Sequence, residues 1–352
     1  MLVVLMPCRA VNVDTMQTKS FRGFRIDLKI ECGALISFFV LLSLFSNVVA
    51  QNQDHMDTVR IDSELVDLKV SVLGFAPEIA APLLEQKDFQ VLEDGAPQDI
   101  TFFAAADAPF DLVLFLDLSG STSDKLKMIR RSARRFVDAT RPVDRIAIVT
   151  FTDRPALQSD FTLDRRQLKK TIDDIDDAFG GTNFWDSLNF VLRHLIPPGH
   201  SSRRSAIVVM TDGVDNALPD VAGPGSRTTF DELMATVRNS EAIIFPIYLD
   251  TEEEDVKRYH VPRAAYATAR EQLDQIASAC GTTLYRAAKL KDLDQVYGTV
   301  IRDLSTVYSL GYRPSNRAPD GKWRSVAVQL VGRPNLSART KRGYYAKQMM
   351  EP

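Results

Sequence analysis

Histidine, cysteine and tryptophan are all scarce: the 352-residue chain holds four, three and two of them. His55, His194, His200 and His260 show none of the spacings by which imidazoles share a zinc ion, and none is matched with a Ser or Cys nucleophile. Of the cysteines, Cys8 and Cys32 fall in or before an apolar leader, which leaves Cys280 alone beyond it and excludes an intramolecular disulfide there. Cys280 continues the helix-spaced series Leu273, Ile276, Ala277 and reads as a small apolar packing residue. An excess of positive charge is missing too. A net charge of -3 and a pI near 5.9 leave no basic stripe for nucleic acid, and pairs such as Arg130-Arg131 sit beside helix-spaced apolar residues.

Apolar material is plentiful. With 45% hydrophobic and 25% charged residues, the chain has enough for one large core and one small one. At the N-terminal end, Lys19, Arg22, Arg25 and Lys29 precede a nearly uninterrupted apolar run over 34–49 that closes on Val48-Val49-Ala50. A basic segment, an apolar segment and small residues before Gln51 describe a secretory signal peptide over 1–50, with Met16 as an alternative start. The run is short for a spanning helix of roughly 20 residues, and Ser43, Ser46 and Asn47 weaken it, so a retained single-pass anchor is the second reading. The chain is therefore expected to be exported, to the periplasm, the cell surface or the exterior.

After a flexible start over 51–60, residues 61–107 alternate as half-buried strands: Leu65, Val66, Leu68, Val70 and Val72, then Phe89 to Glu93. Asp94-Gly95 between two apolar runs predicts a hairpin, with Ile100, Phe102 and Phe103 as the return strand. A β unit this small lacks core. Residues 306–346 supply more, with Tyr308 to Tyr312, then Trp323, Val326, Val328 and Leu330, then Tyr344-Tyr345, and the two flanks are expected to pair into one small β-sandwich-like domain. Between them, over 108–305, unbroken apolar runs (Leu112 to Leu116, Ile146 to Val149, Ala206 to Met210, Ala242 to Ile247) are separated by amphipathic helical patterns. That alternation predicts an α/β domain, a doubly wound, mostly parallel sheet with helices on both faces.

The stretch around which this domain is organised is Asp117-Leu118-Ser119-Gly120-Ser121, directly after the first of those strands. One carboxylate and two hydroxyls at alternate positions can converge on a small hard cation. Ser and Gly there also suit a plain strand-to-helix turn that caps the next helix. Two further loops decide between them: Gly180-Gly181-Thr182 before a helical pattern at Phe184 to Leu195, and Thr211-Asp212-Gly213 after a buried strand. In a parallel sheet with helical crossovers such loops gather at one edge, so Asp117, Ser119, Ser121, Thr182 and Asp212 are expected to meet.

This constellation resembles the metal-ion-dependent adhesion site of von Willebrand factor A domains, matched at all five positions. The flanks, with Glu93-Asp94-Gly95, Leu310-Gly311-Tyr312-Arg313-Pro314 and Arg342-Gly343-Tyr344-Tyr345, are similar to secreted bacterial proteins of that type. The resemblance implies Mg²⁺, with Mn²⁺ or Ca²⁺ as alternatives, held by the hydroxyls of Ser119, Ser121 and Thr182, with Asp117 and Asp212 acting directly or through water. It implies a protein partner whose Asp or Glu carboxylate replaces a metal-bound water, hence recognition and not turnover. Asp186 and Asp215 are candidates for the surrounding shell, although Asp186 reads as well as a helix-end carboxylate and Asp215 reads first as turn chemistry; Trp185 is a candidate ligand contact, although packing comes first. The loops 214–229 and 250–263 are expected to overhang the site. Two other readings remain: a scaffold in an envelope complex with a structural metal, and, less favoured, a phosphotransferase with Asp117 as nucleophile.

Overall fold

The computed structural model describes residues 65–74, 83–120, 126–176, 180–197, 203–258, 260–287 and 292–347. The expected leader with Cys8, Cys32 and the Met16 start, the flexible start with His55, and Ser121 and His200 lie outside the described residues.

The strands are β1 (Val66–Leu73), β2 (Phe89–Glu93), β3 (Ala96–Gln98), β4 (Ile100–Ala104), β5 (Phe110–Asp117), β6 (Arg145–Phe151) and β7 (Pro155–Thr162), followed by β8 (Arg204–Thr211), β9 (Ile243–Leu249), β10 (Tyr285–Ala287), β11 (Val307–Tyr312), β12 (Trp323–Leu330), β13 (Ser337–Arg339) and β14 (Gly343–Tyr345). The helices are α1 (Leu126–Ala139), α2 (Arg165–Asp173), α3 (Phe184–Phe190), α4 (Phe230–Asn239), α5 (Glu252–Arg258), α6 (Arg263–Ala279) and α7 (Leu293–Leu304).

The central sheet has six strands in the order β10-β9-β8-β5-β6-β7, all parallel except β7, which runs antiparallel to β6 at the edge. Every residue of β5, β8 and β9 is buried, as unbroken apolar runs demand when both faces are covered. One layer packs α1 against α2 and α7, and another packs α3 and α6 against α4. Each helix carries its own cause. In α1 the residues Leu126, Ile129, Ala133, Phe136 and Val137 fall on one buried face at helical spacing. The side chain of Asp164 caps α2 by accepting from Arg166 N–H and Gln167 N–H, and Thr229 with Glu232 forms a capping box on α4. No helix among the described residues is long and apolar enough to cross a membrane.

The flanking strands form two antiparallel four-stranded sheets, β13-β1-β11-β4 and β14-β12-β2-β3, around a core that includes Leu68, Val70, Phe89, Val91, Tyr308, Leu310 and Val328. Asp94 (φ 47°) and Gly95 (φ 81°) turn β2 into β3, both left-handed as a two-residue hairpin requires. The return strand is Ala96–Gln98, not the expected Ile100 to Phe103. After Asp99 the chain crosses to the other sheet, where Ile100, Phe102, Phe103 and Ala104 pair with β11. The sheets are tied by Glu93, buried on β2, whose carboxylate accepts from the hydroxyls of Tyr312 (2.6 Å) and Tyr344 (2.9 Å).

Arg204 opens β8 and joins the two halves of the molecule. Its guanidinium lies 3.9 Å from the centre of the Phe110 ring and donates to the carbonyls of Ala106, Ala108 and Val307, the segments by which the chain enters and leaves the α/β part. Burial, and then the nearby Arg141, pushes it down to about 10, so it stays charged at neutral pH. Replacing it takes one donor from each of three carbonyls, of which those of Ala106 and Ala108 keep a bond from Arg141, and each lost bond is worth on the order of 1 kcal/mol. Arg204→Met is expected to lower unfolding stability by about 2–4 kcal/mol, read as an earlier urea midpoint with an unchanged slope; a midpoint equal to wild type would contradict this role.

Candidate functional site

The order of strands in the central sheet reverses at β5. The chain passes from β5 to β6 on one side and later returns to β8 on the other, with Leu116 opposite Met210 where β5 and β8 pair. Loops leaving the carboxyl ends of such neighbours diverge and leave a crevice. Asp117 is the last residue of β5 and Asp212 the first after β8, and both are buried, at 0% and 1% exposure.

Their oxygens are held by short local bonds. Asp117 Oδ1 accepts from Ser119 N–H (2.9 Å) and Oδ2 from the Thr211 hydroxyl (2.6 Å). Asp212 Oδ1 accepts from Val214 N–H (3.0 Å) and Oδ2 from the Thr251 hydroxyl (2.9 Å). Burial first, and the charge of Asp212 second, push the Asp117 carboxyl up to about 7, against the opposing pull of Ser119 and Thr211. Ser119, at 1% exposure, stands one loop turn beyond Asp117.

The third loop arrives from the other side. Gly120 N–H points to the Gly180 carbonyl at 3.4 Å, and Gly181 N–H donates to Asp153 Oδ1 at 2.8 Å. A Cβ on Gly181 would stand 2.3 Å from Asn216 Nδ2 and 2.8 Å from Asp153 Oδ1, so a larger residue there would force both of these hydrogen-bonded side chains aside. Asn216 then fixes Thr182 through both backbone groups: its side-chain oxygen accepts from Thr182 N–H (3.1 Å), and its own N–H donates to the Thr182 carbonyl (2.9 Å). Thr182, Asp212 and Gly120 all line one cavity of about 420 Å³. Residues from both overhanging loops, Val214, Asn216 and Asp220 to Ala222 from one and Asp255, His260 and Val261 from the other, wall the same cavity, and the second loop contains the short helix α5, which the charge pattern had not suggested.

The surrounding candidates have other work. Both oxygens of Asp215 are engaged, accepting from Trp185 N–H at the start of α3, from Ala217 and Ser226 N–H and from the Ser226 hydroxyl. It organises the loop and the helix start. Burial works against the charge on Asp186, but the N–H groups of Arg227 and Thr228 outweigh it and lower its pKa. Asp186 therefore braces the 226–228 segment over the start of α3. Trp185 is 7% exposed and packs on Phe230 at a ring-centre distance of 5.9 Å, so it is a core residue.

Thr211, Thr251, Asp153 and Asn216 were not singled out from the sequence. Thr211, Thr251 and Asp153 share one signal, a polar residue at or just beyond the carboxyl end of a buried strand, at β8, β9 and β6. One helical turn on from Thr251 is another buried carboxylate, Asp255, which accepts from the Tyr266 hydroxyl at 2.9 Å. Among the described residues, no group of three or more His, Cys, Asp or Glu side chains is arranged to hold a metal. The donor set at this edge is two carboxylates and neutral hydroxyls, all oxygen, which suits hard divalent cations.

The fold and this edge can be set beside known proteins. Proximal thread matrix protein 1 from the mussel byssus, solved with a zinc-occupied MIDAS motif, is 17% identical, with a TM-score of 0.43 over 59% of this chain and 48% of that one. The chain thus spans about half the length of that protein. The vWF domain of the type V pilus tip protein Mfa5 from Porphyromonas gingivalis is 16% identical, with a TM-score of 0.42 over 55% of this chain and 94% of that one. The conserved hypothetical protein BatB from Bacteroides thetaiotaomicron is 17% identical, with a TM-score of 0.40 over 55% and 99%. No curated protein matches the sequence significantly. The von Willebrand factor type A domain model matches residues 111–299, more than half of the 352, and the chain belongs to that family.

Proposed function

We propose that this is an exported, non-catalytic binding module that captures an Asp or Glu side chain of a partner protein through a divalent cation. The cation, Mg²⁺ first and Mn²⁺ or Ca²⁺ as alternatives, would be held by Asp117, Ser119, Ser121, Thr182 and Asp212. The observation that carries the reading is the pair of fully buried carboxylates at the strand-order reversal, with Asp117 pushed up to about 7. Two such charges side by side in a dry site destabilise each other, and a divalent cation removes that conflict. When bound, the cation supplies an electrophilic position, little neutralised by its hydroxyl ligands, at which an outside carboxylate can replace water. The chain's own residues do the rest: Thr211 and Ser119 orient Asp117, Thr251 orients Asp212, and Asn216 holds Thr182 against them.

The cavity over Thr182 and Asp212 favours capture of a ligand over the scaffold reading with a purely structural metal, because it leaves room beside the ligands for an incoming group. Among the described residues its wall carries no Lys or Arg to neutralise a phosphate, which weighs against the phosphotransferase reading.

Calorimetry is expected to show saturable Mg²⁺ and Mn²⁺ binding to the wild type and none to Asp117→Ala; equal binding by both would contradict the assignment. The pH dependence follows from the sign of the shift. A carboxylate raised from its usual value near ~4 to about 7 costs the metal-free fold stability as pH climbs through that window. The metal-free protein is therefore expected to melt lower at pH 8 than at pH 5 through this site, and Asp117→Asn to remove most of that difference. The rise in melting temperature on adding Mg²⁺ should be larger at pH 8 than at pH 5. A metal-induced rise that shrinks with pH would count against the reading.

A further inference from the structure

We infer that the cavity beside Thr182 and Asp212 selects the partner: it fits a protein segment in which the metal-seeking Asp or Glu is flanked by an aliphatic or aromatic side chain and not by a second acid. This rests on the carboxylate-capture reading and adds a specificity to it. At about 420 Å³ the space exceeds what one acidic side chain fills and lies within the ~300–1,000 Å³ range of pockets that take a substantial ligand. Val214, Val221, Ala222 and Val261 supply an apolar wall. Tyr266, whose hydroxyl donates to Asp255, also lines the space. The wall is continuous with Thr182 and Asp212, so a segment anchored by its carboxylate at those residues brings its neighbouring side chain into apolar surroundings.

Charge sets the exclusion. Asp220 stands exposed on the rim, and among the described residues no Lys or Arg lines the cavity to balance it. A second carboxylate in the partner meets repulsion there, and a neutral or basic neighbour does not. Asp220 (φ 60°) and His260 (φ 58°) are two of the three non-glycine residues described with a left-handed backbone, and both lie on this rim. Strain of that kind persists where surrounding contacts fix a loop's shape. Here one such contact is the bond from Asn216 Nδ2 to the Ala222 carbonyl (2.9 Å), made by the same side chain that holds Thr182.

The test is a panel of short peptides carrying one central Glu flanked by Leu, Phe, Gly, Lys or Glu, titrated into the full chain with saturating Mn²⁺ and again with a chelator. Burying one Leu-sized side chain is expected to make the Leu- and Phe-flanked peptides bind about tenfold or more tighter than the Gly-flanked one, with the Glu-flanked peptide weakest. Ala222 is exposed and contributes only its backbone to the Asn216 bond, so Ala222→Trp can fill the cavity without disturbing that contact. It should bring Leu- and Gly-flanked peptides to within about twofold of each other, while Mn²⁺ affinity, measured separately, stays at the wild-type value. Metal-dependent binding that is equal for all flanks overturns the pocket's role and leaves carboxylate capture standing. Apolar-flanked binding that persists in chelator keeps the pocket and removes the metal. No binding by any peptide overturns both.

Discussion

Two carboxylates, Asp117 and Asp212, are kept out of water beside one another at the carboxyl edge of one sheet, and the arrangement of that edge follows from this. Isolated burial of charge costs far more than a single domain's stability allows. The fold meets the cost locally: Thr211 and Ser119 serve one carboxylate, Thr251 and Val214 N–H the other. Those bonds do not cancel the burial and, after it, the repulsion from Asp212, which still drive Asp117 toward its protonated form. The remaining mismatch is the kind of local instability that binding sites retain, and on our reading a divalent cation relieves it.

Rigid scaffolding and adjustable loops divide the work. The strands that carry Asp117 and Asp212 are fully buried, covered by helices, and anchored at their far end by Arg204 and the carbonyls it collects. Positions set by such strands vary little, which suits a site whose ligands must lie close together. Thr182 and the cavity wall instead come from loops, and their geometry is set by side chains of other loops, Asn216 and Asp153 above all. Changes there alter what is recognised without touching the sheet.

The central sheet was legible in the sequence because its strands are unbroken apolar runs and its helices keep one buried stripe, as in α1. The edge strand β7 was not, since its burial is slight and its pattern irregular. The fate of Ile100–Ala104 was not legible either: the alternation that marks a strand does not say which sheet it joins, and Asp94-Gly95 pointed to a nearer return than the one expected. At the candidate site, Asp117, Ser119, Thr182 and Asp212 stood out because each follows a strand or opens a helix in a recognisable pattern. Turn chemistry at Asp215 and a loop brace or helix-end role at Asp186 were legible, whereas their partners, backbone N–H groups and for Asp215 also the Ser226 hydroxyl, were not. A sequence shows a carboxylate but not which donors reach it. Asn216 depends on long-range packing for its role and left no local signal.

The central claim, that these two acids and their hydroxyl neighbours form one divalent-cation site, is tested most directly by anomalous diffraction from crystals of the protein grown with Mn²⁺. A single strong manganese peak within coordination distance of Ser119, Thr182 and the Asp117 and Asp212 carboxylates or their bound waters, with an open position facing the cavity, is the predicted result. A map with manganese elsewhere, or with the cavity-facing position filled by a residue of this chain, would contradict it.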